Sequence, residues 1–141
     1  MPYREKIAWL SLAAMAVTFG PYFAVLSAGL LPGDAVPDLR KLGVYAAVAI
    51  AQALILGAGH LVLRRLSPQD ARQPMDERDR AIKHRAVSWA YHVLIAGMIL
   101  VGVMMPFTSH GWTLVNAALF AIVASEFLRY AIVAVSYRRQ A

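Results

Sequence analysis

Four apolar stretches, each long enough to cross a lipid bilayer, constrain this chain more than any other feature. A helix rises about 1.5 Å per residue, so roughly 20 apolar residues cross the hydrocarbon core. Residues 7–31 contain no charged side chain, and residues 42–63 contain none either, though they carry Gln52 and His60. Residues 86–107 offer only His92 as a potential charge, while residues 112–137 carry Glu126 and Arg129. A helix on the surface of a soluble protein keeps one polar face. These stretches are apolar nearly all round, and a chain of 141 residues has too little material to enclose four of them in a core of its own. The sequence therefore predicts an all-α integral membrane protein: one domain over residues 1–141, built as a four-helix transmembrane bundle of two helical hairpins.

Composition narrows the chemistry. The chain is 60% hydrophobic and 16% charged, well below the charge of soluble domains. It has no cysteine, which excludes disulfides, thiolate metal sites and cysteine nucleophiles. In a soluble protein a net charge of +6 would point to nucleic acid. Here the basic residues flank apolar spans, so they report topology and contact with anionic headgroups, and direct nucleic-acid binding is not expected. No nucleophile–base set, phosphate loop or metal-ligand spacing is present, so neither an enzyme nor a cofactor is expected.

Arg4 and Lys6 before the first span resemble the start of a signal peptide. The apolar run is longer than the usual ~7–15 residues, and no small-x-small site closes it, so it reads as a retained helix. Gly20-Pro21 predicts a kink in it, because proline removes a backbone donor and clashes one turn back. Arg64, Arg65, Arg72, Arg78, Arg80, Lys83 and Arg85 lie between spans two and three, and Arg138 and Arg139 follow span four. On the opposite side Arg40 and Lys41 are offset by Asp34 and Asp38, and the Thr108-Ser109-His110-Gly111 loop has no charge. The positive-inside rule then puts both termini and the loop of residues 64–85 in the cytoplasm, with Trp112 and Tyr45 in the outer aromatic belt and Tyr3, Trp9, Trp89 and Tyr137 in the inner one. Leu31-Pro32-Gly33 and Pro37 mark the first outer turn. Small residues at helical spacing are the expected packing faces: Ala46, Ala49, Ala53 and Gly57 in span two, Ala90, Gly97 and Gly102 in span three. Some of these faces are candidates for a homo-oligomer.

The intramembrane polar residues carry the first candidate site. Glu126 lies near the middle of span four, where a charge costs at least ~2.5–3.5 kcal/mol on insertion scales. Arg129 is at i+3 and can pair with it or snorkel inward, and Tyr130 at i+4 can donate to the carboxylate. His92, with Gln52 or His60, lies at neighbouring depth, so a polar layer of Glu126, Arg129, His92, Tyr130 and Gln52 is expected in the inner half. Asn116 is expected in an interhelical hydrogen bond. The layer reads either as a self-satisfied bridge that fixes helix register or as a proton, cation or ligand site of a small oligomeric transporter or channel. His60 and His92 also suggest two axial ligands for one haem, as in an electron carrier; residues 86–95 resemble a haem-bearing helix of bacterial di-haem cytochromes b.

The second candidate is the run Asp76-Glu77-Arg78-Asp79-Arg80. Ser67-Pro68 and Gln73-Pro74 read as linker. Asp76 reads as an N-cap with Asp79 completing a capping box, and Asp76–Arg80 and Asp79–Lys83 are spaced for surface pairs. That account needs only a helix start anchored to lipid. The other reading makes the alternating carboxylates and guanidiniums a docking strip for a cytoplasmic partner. Followed by Ile82, Ala86 and Ala90-Tyr91, the pentad resembles the hallmark of a family of small bacterial multispanning membrane proteins of unknown function. The resemblance covers residues 75–106 and implies a bacterial inner-membrane protein of four spans without naming a substrate. Members placed beside small helix-turn-helix regulators imply a membrane-bound sensor or sequestering partner. A regulatory or interaction protein is therefore the first functional expectation.

Overall fold

The computed structural model describes residues 3–31 and 39–139. The expected outer turn at Pro32, Gly33 and Pro37, with Asp34 and Asp38, falls outside the described residues. The rest is helical: α1 spans Tyr3–Ser27, α2 Leu39–Leu66, α3 Pro68–Arg72, α4 Glu77–Ile99 and α5 Trp112–Arg138. After Ile99 the chain winds through a π turn, Leu100–Met104, and a 3₁₀ turn, Met105–Phe107. Pro106 cannot donate to an α ladder, and the widened and tightened turns carry the chain round that missing bond. Four segments are long and apolar enough to cross a membrane: Tyr3–Ser27, Leu39–Leu66, Glu77–Phe107 and Trp112–Arg138. They begin or end a few residues beyond the apolar stretches because helices continue into the headgroup region. α1 runs unbroken through Pro21. The expected linker holds the short helix α3, which Pro68 opens at its first position, where the missing N–H has no partner to lose.

Packing follows the two hairpins: α1 lies against α2, α5 lies against α4, and α1 joins the hairpins through α5. The spatial order is α2–α1–α5–α4, which leaves α2 and α4 at the two edges. A third of the most apolar window of α1 is buried (33%), against 6% in α2 and 11% in the α4 span, so the seam of the molecule is α1–α5. Ala8, Leu12 and Ala134 form its core, with Tyr130, Ala131 and Val133 packed around them. Ala8 and Ala134 are almost fully buried, and their small side chains let the two backbones approach.

The other interfaces use small residues differently from the sequence expectation. In α2, Ala46, Ala53 and Gly57 are exposed, and the close approach is made by Gly59: a Cβ there would lie 2.4 Å from Leu10 Cδ2. In α4, Ala90 is buried and Gly97 faces Ala121, where an added Cβ would lie 2.7 Å from the alanine methyl, while Gly102 meets open space. Periodicity finds a stripe of small residues, but which stripe faces a neighbour depends on helix rotation.

Away from the charged end, an aromatic cluster joins α1, α2 and α5. Tyr22 meets Tyr45 edge to face at 5.8 Å, and Phe23 meets Phe120 at 5.1 Å. The Tyr22 hydroxyl donates to Asn116 Oδ1 at 2.9 Å, the interhelical bond expected of Asn116. Deeper in, the Thr18 hydroxyl meets the Gln52 side chain at 2.7 Å. Burying these groups in apolar surroundings is tolerable because each finds a partner.

Candidate functional site

The charged run of residues 76–80 opens α4 and is drawn into the helix ends around it. Asp76 caps the helix: its Oδ1 accepts the Asp79 N–H at 2.6 Å, and its own extended backbone ends the preceding loop. Acidic Glu77 and Asp79 occupy the first turn, where the helix dipole favours negative charge. The reciprocal half of the expected capping box is replaced. The Asp79 carboxylate turns to the α1–α5 seam, forming an ion pair with Arg4 and accepting a hydrogen bond from the Tyr137 hydroxyl. Neither expected surface pair, Asp76–Arg80 or Asp79–Lys83, forms, because Asp76 is spent on the cap and Asp79 on these two partners.

More contacts close the same junction. Arg4 Nη2 donates to the Gln73 carbonyl at 3.3 Å, and Lys6 Nζ donates to Ser67 Oγ at 3.1 Å. Glu5, buried in α1, faces Arg138 of α5 at 3.9 Å, and the Arg138 guanidinium lies 5.0 Å from the centre of the Trp9 ring. The starts of α1 and α4, the end of α5 and the loop through α3 thus meet at one end of the molecule. They enclose a cavity of about 650 Å³, bordered by Tyr3, Arg4, Asp70, Asp76, Asp79 and Tyr137 among others. Arg78 also lines it, and Glu77 and Arg80 are exposed beside it. Sequence reasoning missed Arg4, Glu5 and Tyr137 as partners of the loop. The available signal was topological: in an antiparallel α1–α5 pair, residues near both chain ends share a level with the start of α4.

The intramembrane candidates separate into local groups. Glu126 and Arg129 form the expected i, i+3 ion pair at 2.8 Å, with side chains 40% and 34% exposed on the flank of α5. Tyr130 does not donate to Glu126; its hydroxyl accepts from Arg129 Nη2 at 2.8 Å, so the guanidinium bridges the carboxylate and the phenol. Arg129 and Tyr130 also border a second cavity, of about 460 Å³, which reaches Arg4 and Lys83. The expected single polar layer is not assembled. Gln52 is taken by Thr18 of α1, and His92 is exposed on α4, its Nδ1 2.6 Å from the Ser88 carbonyl of its own helix. His60 Nδ1 likewise lies 2.8 Å from the Leu56 carbonyl. His60 and His92 sit on α2 and α4, the two edges of the row, with α1 and α5 between them. Lateral position separates them.

Four apolar helices long enough to span a membrane, bonded through buried polar pairs and with most of the cationic residues at one end, define a multispanning α-helical membrane protein. Residues 6–141 match the model of the family described as predicted membrane protein (DUF2178), and the chain belongs to that family. No curated protein and no solved structure matches it.

Proposed function

We propose that this is a non-enzymatic interaction protein of a bacterial inner membrane, which presents its charged end to the cytoplasm as the receiving surface for a water-soluble protein. The observation that carries this reading is the double engagement of Asp79 by Arg4 and Tyr137. The loop is not a solvated linker. It is fastened to both halves of the α1–α5 seam, and it leaves Glu77 and Arg80 exposed beside a polar cavity that Arg78 lines. A fixed array of alternating charge suits recognition of a complementary mixed-charge surface, because charge placement sets partner choice and register. Fastening to the seam lets an event at the loop be felt by the membrane helices. The basic residues at both chain ends and in the loop support a cytoplasmic placement of this end.

The test places a photo-crosslinking residue at Arg80 in native membranes. A discrete adduct is expected, lost on exchanging the charges in Glu77→Lys/Arg80→Glu and weakened by Asp79→Asn. An adduct indifferent to both changes, or none above the yield from a crosslinker on the outer face of α2 at Leu54, overturns the reading.

A second reading draws support from the Glu126–Arg129–Tyr130 group, whose inner side borders the cavity that reaches Arg4. That access would suit a proton or cation site of a small oligomeric transporter. Glu126→Gln should then abolish proton-coupled flux in liposomes while leaving the fold intact; unchanged flux removes it.

A further inference from the structure

On the face of the α4–α5 hairpin away from the junction, a groove of about 470 Å³ runs between the two helices. Its walls are apolar, contributed by Leu128, Ile132 and Val135 of α5 and the Trp89 ring of α4. Arg85 and Arg139 also line it. Arg85 is the last cation before the apolar stretch of α4, and Arg139 directly follows α5. Both are exposed, and among the described residues neither guanidinium has an ion-pair or hydrogen-bond partner. Every other arginine along the α1–α5 seam is committed: Arg4 to Asp79, Arg129 to Glu126, Arg138 to Glu5. Trp89, one turn inside Arg85 and 57% exposed, stands where an indole meets the ester and glycerol region of a lipid.

We propose that this groove is a binding site for one anionic phospholipid, the phosphate held between Arg85 and Arg139 and one acyl chain lying along Leu128, Ile132 and Val135. The charge is complementary, the geometry is that of an amphiphile, and a guanidinium pair suits the bidentate recognition of phosphate oxygens. The site has a structural consequence as well. α4 is an edge helix whose neighbour is α5. A lipid lying in their shared groove touches both helices, and so adds to the packing that ties the helix carrying the charged run to the rest of the molecule. This inference is independent of the partner-binding reading.

The test uses the full chain in zwitterionic bilayers containing a minor fraction of phosphatidylglycerol brominated on its acyl chains, with quenching of Trp89 fluorescence taken as the difference between the wild type and Trp89→Phe. The wild type should prefer the brominated anionic lipid over brominated phosphatidylcholine by about ten- to thirty-fold, from about 1 kcal/mol for each basic residue near the surface. Arg85→Gln/Arg139→Gln should lose that preference. Arg64→Gln/Arg65→Gln, which removes equal charge from the end of α2, should keep it. Addition of the anionic lipid should also raise the thermal midpoint of the wild type but not of the Arg85/Arg139 variant. Equal preference in both double variants would mean diffuse attraction to a charged surface and would overturn the site, as would quenching that does not distinguish the two lipids. Because both arginines are exposed and unpartnered, loss of fold is not expected, and the far-ultraviolet spectrum of each variant verifies it.

Discussion

Removing the Asp79 carboxylate is the sharpest perturbation of the charged-end junction. Its side chain is 15% exposed, and it neutralises Arg4, 28% exposed, while accepting from Tyr137, which is 5% exposed. A hydrogen bond to a charged group contributes ~1.5–3 kcal/mol, so two partners would give ~3–6 kcal/mol if both were dry. Arg4 retains access to water and keeps its bond to the Gln73 carbonyl, so its share shrinks towards the ~0–1 kcal/mol of exposed pairs. The expected cost of Asp79→Ala is therefore about 2–3 kcal/mol, with most of it from the buried phenol left unpaired. Asp79→Asn, which keeps an acceptor for Tyr137, should cost about 1 kcal/mol. The helix cap is not disturbed in either case, because Asp76 binds the backbone N–H of residue 79 and not its side chain. Reversible unfolding in mixed detergent–dodecyl sulfate micelles measures these values, and a double-mutant cycle with Tyr137→Phe isolates the phenol. If Asp79→Ala cost less than ~0.5 kcal/mol, or if Asp79→Ala and Tyr137→Phe added within the ~0.3–0.5 kcal/mol seen for independent sites, the carboxylate would not hold the junction together.

Other expectations follow from single contacts. Gly97→Ala places a methyl 2.7 Å from the Ala121 Cβ, well inside the ~3.5–4.0 Å of a favourable carbon contact, so it should destabilise the α4–α5 hairpin by ~1–3 kcal/mol in the same unfolding assay. The exchange Gly97→Ala/Ala121→Gly should recover most of that loss, and failure to recover would mean that the close approach lies elsewhere. Glu126→Ala leaves Arg129 without its carboxylate inside the span and should destabilise more than Glu126→Ala/Arg129→Leu, which removes both charges; a double variant weaker than the single would refute the neutralising role of the pair. Ser11 is fully buried in α1 and its hydroxyl has no partner among the described residues, so Ser11→Ala should be neutral or stabilising by up to ~1 kcal/mol, whereas Ser11→Leu should force apart the helices packed on it and lower the thermal midpoint.

The spans were legible because bilayer thickness is a strong constraint: any sufficiently long apolar run must become a helix to satisfy its backbone in lipid. Local pairs were legible for a similar reason. Glu126–Arg129 and the Asp76 cap depend on helical spacing alone, and both are present. What the sequence concealed is helix rotation and lateral order. Gly59 and Gly57 differ by two positions, yet one touches Leu10 and the other meets open space. His60 and His92, expected side by side, lie on opposite edges of the row. The partners of Asp79 were concealed most deeply, since Arg4 and Tyr137 lie far from it along the chain and come near only through the antiparallel pairing of α1 with α5.

Apart from the Tyr137–Asp79 bond between α5 and α4, the interhelical polar contacts described above converge on α1. Thr18 ties it to α2, Tyr22 and Glu5 tie it to α5, and Arg4 ties it to the start of α4. Apolar burial cannot by itself orient helices in lipid, because the tails of the bilayer are as apolar as the leucines they would replace. Direction has to come from small-residue contact and from polar groups that find partners in one rotation only. α1 supplies both: Ala8 packs with Ala134 in the α1–α5 seam, and its polar residues face three neighbours. The first span, which looks on composition like a leader or a plain anchor, is thus the element that sets the rotation of the others. A change at Asp79 reaches α1 directly through Arg4 and α5 directly through Tyr137, but reaches α2 only at second hand. If occupancy of the charged end is transmitted into the membrane, amide exchange should therefore change at the starts of α1 and α4 and the end of α5 before it changes in α2. A uniform change across all four spans would argue for a rigid anchor instead.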